Sequence, residues 1–314
     1  MAVELSLRMA DRGGEVRDPD GEDLRQLLGA RRLLLLIHGY NNDLPFVRDT
    51  VYPQFESLQR EIAGIDAGGD YAPGWRVVHV YWPGDADHGL FSALFYPSIV
   101  KNAPVCGAAL AKLLDAASGG EGIDVAIVSH SLGCRVVAEL LKALPSGSRA
   151  RVTRVAFFAA AAPTFMLEDY SPGSLGLAMA TRIEDGAISL YSGADMVLAI
   201  AFPLGQTLAP GNEGVTPTAL GHELWASMAV PGVLSQGENP GAGHSDYWGW
   251  REKTRDSCGL RANTVARERL RLGPFAERSI ATRPIVIRTS AEAREVASRQ
   301  TGPQMSTPAS LAAG

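Results

Sequence analysis

The chain has 314 residues, 46% of them hydrophobic and 20% charged, which supports one large domain or two small ones around a sizeable core and excludes bulk disorder. A net charge of −5 gives no sign of a nucleic-acid binder, and the 34 glycines and 19 prolines follow no G-X-Y period, which excludes collagen. The charge is uneven: residues 251–314 carry 12 Lys and Arg against 6 Asp and Glu, leaving 17 against 28 for residues 1–250.

Val3 to Met9 reads as an early strand at a sheet edge. Short apolar runs at Leu33–Ile37, Val77–Tyr81, Val125–Val128, Val155–Phe158 and Ala187–Tyr191 read as buried strands, each bounded by Gly, Pro or polar residues. Their lack of polar alternation points to strands covered on both faces, as in a parallel sheet. Between them, Pro45–Ala63, Val105–Ala117 and Leu132–Leu144 carry apolar stripes at helical spacing. Alternating strand and helix signals predict an α/β fold. Phe202–Pro240 is rich in Gly and Pro and reads as long loops around one short helix near His222–Ala229. Beyond Arg251 the pattern weakens, with a basic helix at Asn263–Leu272, a short strand at Pro284–Arg288 and a disordered end from Thr301. Residues 1–250 are thus expected to form the α/β domain and 251–314 a basic extension, which lies on the body, waves in solvent or touches an anionic partner.

Three cysteines, Cys106, Cys134 and Cys258, are too few and too scattered for a disulfide framework or a zinc site. No signal peptide is visible at the start, and no run reaches the roughly 18 apolar residues of a membrane helix. The expected setting is cytoplasmic, with no nucleic-acid partner, no membrane span and an open oligomeric state.

The strongest local signal is Val125-Ala-Ile-Val-Ser129-His130-Ser131-Leu132-Gly133-Cys134. An apolar strand runs into Ser-His-Ser-Leu-Gly and then into a helix. This has the form of the G-x-S-x-G turn, with Ser129 at the first glycine position. The sharp bend presses together the residues two before and two after the serine, and small side chains at Ser129 and Gly133 fit there. Ser131 is the candidate nucleophile. His130, its neighbour, points elsewhere and reads as a pocket-lining or structural residue, and Cys134 reads as core.

A second buried strand ends in Ile37-His38-Gly39-Tyr40-Asn41. A serine hydrolase aims two backbone N–H groups at the developing oxyanion. Leu132, after the serine, and Tyr40, after His-Gly, are the candidates. His38 would brace this loop and is a further pocket candidate.

His38-Gly39-Tyr40-Asn41, Tyr81-Trp82-Pro83-Gly84-Asp85 and Ser129-His130-Ser131-Leu132-Gly133 together resemble the α/β-hydrolases, in a bacterial branch of the esterase and lipase superfamily. The resemblance spans about Leu33 to Trp250. It implies an α/β-hydrolase fold with a mostly parallel central sheet and helices on both faces, possible cap inserts near residues 89–104 and 164–186, and a triad in the order Ser, Asp, His. Asp195 lies just past the strand Ala187–Tyr191, where the acid belongs, ahead of Asp169, Asp185 and Asp124. His244, in the glycine-flanked loop Gly241-Ala-Gly-His-Ser-Asp-Tyr-Trp, is favoured as the base over His222.

Trp82, at a strand end, is expected to border the acyl or alcohol site, and Phe91, in the apolar insert Leu90–Pro97, to line it or to sit in a buried helix. Asp85-Ala-Asp87-His88-Gly89 looks like a metal cluster and reads instead as a solvated polar turn, since the mechanism needs neither metal nor cofactor. The expected function is hydrolysis of a small-molecule carboxylic ester through an acyl-enzyme. The same residues would serve a thioesterase, amidase or acyltransferase, and the fold could also serve a catalytically silent binding protein.

Overall fold

The computed structural model of the chain describes residues 2–9, 11, 14–63, 66, 68–85, 92–209, 214–224 and 234–248. In chain order they form β1 (Val3–Ser6), α1 (Gly21–Leu27), β2 (Arg32–Ile37), α2 (Leu44–Phe46), a π-helical turn (Val47–Val51), α3 (Tyr52–Ala63), β3 (Arg76–Tyr81), α4 (Ser92–Val100), α5 (Asn102–Ala117), β4 (Ile123–His130), α6 (Gly133–Ala143), β5 (Ala150–Phe158), α7 (Thr164–Leu167), α8 (Leu175–Arg182), β6 (Ile183–Tyr191), a second π-helical turn (Val197–Ala201), α9 (Phe202–Leu208), β7 (Leu234–Glu238) and a 3₁₀ turn (Asp246–Trp248).

The seven strands make one sheet in the order β1-β3-β2-β4-β5-β6-β7, and every pairing between them is parallel. The five buried strands read from the sequence are β2 to β6, and the early edge strand is β1. Successive residues of a strand face opposite sides of the sheet. Leu33 to Ile37 of β2 and Val125 to Val128 of β4 are nonetheless all buried, so both faces of the sheet are covered. α5 packs on α6, and α6 on α8, which builds one of those layers. Because all strands run the same way, β2, β4 and β6 deliver Ile37, His130 and Tyr191 to one edge, where the loops carrying the candidate site residues begin.

Several expectations change. The stripe at 45–63 is interrupted by the π-helical turn Val47–Val51. Phe202–Leu208, read as loop, is a helix. Its Pro203 sits in the first turn, where a missing N–H costs nothing, and a Cβ on Gly205 would come within 2.7 Å of the Tyr96 ring. Leu234–Glu238, also read as loop, is the edge strand β7. His222 closes a turn onto the Ala219 carbonyl, and 225–229 lie outside the described residues. The expected insert near 164–186 holds α7 and α8 and ends inside β6, and that near 89–104 ends inside α5. The elements expected beyond residue 251 lie outside the described residues.

Two buried polar clusters tie the sheet's outer strands to the loop after β2. Arg8, just past β1, donates through Nη1 to the Trp82 carbonyl (3.0 Å) and through Nη2 to Asp85 Oδ1 (2.6 Å). Both side chains are at most 4% exposed, so Asp85 is a buried ion-pair partner, not part of the solvated turn expected at 85–89. The rest of that turn is outside the described residues. Asn41 N–H donates to the Gly84 carbonyl (2.8 Å), which joins the two loops.

His38 is the centre of the second cluster. Its Nδ1–H donates to the Gly39 carbonyl (2.9 Å) and its Nε2 accepts the Trp82 backbone N–H (3.3 Å). Trp82 Nε1–H donates to the His38 carbonyl (2.8 Å), with the two rings stacked 5.7 Å apart. The Tyr52 hydroxyl accepts the His38 backbone N–H and lies 2.8 Å from the Leu36 carbonyl.

Two outcomes follow for stability. Removing one partner of a buried ion pair strands the other charge, so Asp85→Ala should cost about 3–5 kcal/mol, read as a lowered urea midpoint with an unchanged slope. Burial holds the His38 imidazole down at about 3. In the unfolded chain it takes up a proton below about pH 6.5, whereas the folded protein refuses it. The unfolded state therefore binds more protons in that window. The stability is complete above about pH 6.5 and falls away toward pH 3, by up to about 1.4 kcal/mol per pH unit for this group. Urea melts at pH 7, 6 and 5 should show that loss, and His38→Gln should make it shallower.

Candidate active site

The chain reverses direction between β4 and α6 in a turn that only small residues permit. Ser131 sits at φ +52°, a left-handed conformation that costs a non-glycine residue about 1–2 kcal/mol. Its backbone is held on both sides: its N–H donates to the Phe158 carbonyl (2.9 Å), and its carbonyl accepts from Ala161 N–H (3.1 Å). A Cβ on Gly133 would lie 2.3 Å from the His38 carbonyl oxygen. Ser129, at the first glycine position of the motif, is fully buried and directs its hydroxyl toward Cys134 Sγ (3.3 Å) and the Ala156 carbonyl (3.4 Å). Burial pushes the Cys134 thiol up to about 12, in keeping with a core thiol.

Three side chains far apart in sequence meet at this turn. Ser131 Oγ is 2.8 Å from His244 Nε2. His244 Nδ1 is 2.8 Å from Asp195 Oδ2. Asp195 is fully buried just past β6. Its Oδ1 accepts the Val197 and Leu198 backbone N–H groups at 3.1 and 3.0 Å. No cation accompanies it among the described contacts; amide dipoles and the imidazole take that place. His244 hangs from a loop in which Gly243 N–H donates to Asp246 Oδ2 (2.7 Å) and Asp246 N–H to the Gly243 carbonyl (3.1 Å).

The competing residues are engaged elsewhere. Asp169 caps Ser171 N–H, Asp185 approaches Arg154, and Asp124 pairs with Arg151. Among the described residues it is His244, not His222, that bonds Ser131 and Asp195; the His222 backbone closes the turn described above.

Above the serine, Gly39 lies so close that a Cβ there would be 2.8 Å from Ser131 Cβ and 2.7 Å from His130 Nδ1. This brings the Tyr40 end of the loop to the serine. Across the gap, the Leu132 amide donates to no group among the described residues. The Tyr40 ring meets the Tyr96 ring edge-on at 5.4 Å, and Tyr96 accepts a bond from Gln206 Nε2 (3.1 Å). Tyr96 was visible in the sequence only as one aromatic of an apolar insert.

The pocket expectations fare differently. His38 and Trp82 are both wholly buried, with their polar groups turned onto each other, so neither presents a wall to a substrate. Gly84 makes this possible, since a Cβ there would overlap the Trp82 ring at 2.5 Å. His130 is also buried, and its Nε2 lies 2.7 Å from the His244 carbonyl. Phe91 lies outside the described residues. Tyr247 was not singled out from the sequence; it stacks on Phe158 at 6.0 Å and flanks His130 at 6.3 Å. The glycine-flanked stretch around His244 marks a loop there, but nothing in it singles out the ring of Tyr247. Among the described residues no cluster of His, Cys, Asp and Glu could hold a metal ion, and no helix is long and apolar enough to cross a membrane.

No family model matches the sequence, and no curated protein matches it. Among solved structures, the chain is similar to esterase PE8 (16% identity, 77% of this chain and 93% of that one, TM-score 0.37). It is also similar to Aspergillus fumigatus lipase B (12%, 81% and 67%, TM-score 0.37) and to a Pyrobaculum calidifontis esterase (13%, 77% and 78%, TM-score 0.36). At these scores the likeness is faint, and the reading of the fold rests on the chain's own strand order and turns. A parallel seven-stranded sheet covered on both faces, with a serine on the tight turn between its central strand and the next helix, is the α/β-hydrolase fold.

Proposed function

We propose that the chain is a serine hydrolase that cleaves carboxylic esters through an acyl-enzyme intermediate. One observation carries this reading: the continuous line from Asp195 through His244 to Ser131 Oγ, with 2.8 Å at each link. Ser131 attacks the ester carbonyl carbon while His244 Nε2 takes the hydroxyl proton. Asp195 fixes the tautomer with the other proton on Nδ1 and stabilises the imidazolium that forms. The Leu132 and Tyr40 amides receive the oxyanion. His244 then returns the proton to the departing alkoxide, which leaves as the alcohol. In the second half a water gives its proton to Nε2 and attacks the acyl carbon, and Ser131 leaves with that proton as the carboxylic acid is released.

The uncommitted Leu132 amide supports the oxyanion role, as does the strained φ of Ser131, because strain of this kind persists where function holds it. Pre-organised donors matter because each is worth about 3–4 kcal/mol in the transition state.

Ser131→Ala should lower hydrolysis of a short-chain ester by at least about 1,000-fold and abolish covalent labelling by a fluorophosphonate. Labelling that persists undiminished in that variant would sink the assignment. Running esters and thioesters of increasing acyl length on wild type and Ser131→Ala together assigns the leaving group.

A further inference from the structure

We propose that His130 is a positioning residue: by donating Nε2–H to the His244 backbone carbonyl it sets where the His244 imidazole stands above Ser131. The inference rests on the serine-hydrolase reading for its consequence in rate, and on geometry for its substance.

Among the described residues the His244 loop follows directly on β7 and is packed at Asn239, Ala242 and Tyr247, all buried. It leaves β7 through Asn239, whose N–H donates to the Tyr191 carbonyl, and then passes Gly241 at φ +72° and Gly243. Glycines give such a segment many conformations. The two ends of the imidazole are fixed by Ser131 and Asp195, but neither bond fixes the backbone from which the ring hangs. The His130 bond does so. At 2.7 Å it links residues 114 apart in the chain, and it springs from the last residue of β4, the central strand of the sheet.

The His130 ring itself has no freedom to swing. It is 4% exposed and lies 4.9 Å from the His244 ring and 6.3 Å from that of Tyr247. Its Nδ1 edge faces Gly39, where an added Cβ would come within 2.7 Å. One side chain is therefore held between the loop that carries the base and the loop that carries Tyr40. Burial, reinforced by the neighbouring His244, drives its proton affinity well down and keeps it neutral. A neutral ring at this position gives the loop a donor without adding positive charge beside an imidazole that must itself become positive during the reaction.

The experiment compares His130→Phe, which keeps the ring and loses the donor, with His130→Gln, whose amide nitrogen reaches about as far as Nε2. A displacement of about 1 Å in a catalytic group can cost about 100-fold. His130→Phe is expected to lower both kcat and the fluorophosphonate labelling rate by about 10- to 100-fold with KM nearly unchanged, and His130→Gln to recover most of the loss. In parallel, nitrogen-15 NMR follows the His244 Nδ1 proton, expected to shift or broaden in His130→Phe and to return in His130→Gln. Wild-type kcat and an unmoved His244 signal in His130→Phe would overturn the proposal. If the wild-type chain neither hydrolyses esters nor takes the label, the serine-hydrolase reading fails, and the NMR comparison decides the positioning role alone. Should His130→Phe not fold, His130→Asn, whose amide stops at the Nδ1 position, replaces it in the same comparison.

Discussion

The structure turns on the lack of space between the exits of β2 and β4. The two strands pair in register up to Ile37 and Ser129, and the loops that leave them must then separate without drawing apart. Gly39 and Gly133 allow this, since a side chain at either would overlap the other loop. The pinch brings the backbone after His38 over Ser131 and forces Ser131 into a left-handed conformation. The Gly39 backbone and the Ser131 side chain thus meet because two neighbouring parallel strands end within one residue of each other.

Three histidines at this edge show how environment separates the roles of one side chain. His38 spends both ring nitrogens on neighbouring backbone and is fully buried. His130 is nearly as buried and holds a carbonyl. His244 alone keeps 16% of its side chain exposed and has a carboxylate on one nitrogen and a hydroxyl on the other. Burial makes the first two poor proton acceptors, whereas the third bridges the Asp195 carboxylate and the Ser131 hydroxyl.

Much of the frame was legible in the sequence, for physical reasons. A strand buried on both faces cannot carry polar alternation, so β2 to β6 stand out as apolar runs. β7 did not, because Leu-Ser-Gln-Gly-Glu at a sheet edge needs only one covered face. α9 was hidden by Pro203 and Gly205, which look like breakers until the first-turn proline and the close Tyr96 ring explain them. The strand–Ser131–helix pattern, Asp195 past β6 and the glycine-flanked His244 were readable as types in order, and those three side chains do meet. The pocket was less readable. Trp82 follows a strand at the reactive edge, but whether an aromatic there faces substrate or folds back depends on its partners. The backbone and ring of His38 took it into the core. Asp85 read as solvated because its partner, Arg8, lies 77 residues away in sequence, beyond the reach of any local pattern.

The Arg8–Asp85 pair also gives the start of the chain a bearing on chemistry it never touches. β1 is an outermost strand, yet its last contacts run through Arg8 to the Trp82 carbonyl and Asp85, and the Gly84 carbonyl beside them holds Asn41 next to Tyr40. The first strand is thereby tied to the loop that carries Tyr40. An affinity handle or fusion partner spliced ahead of Val3 would load that linkage directly and should be separated from it by a slack spacer.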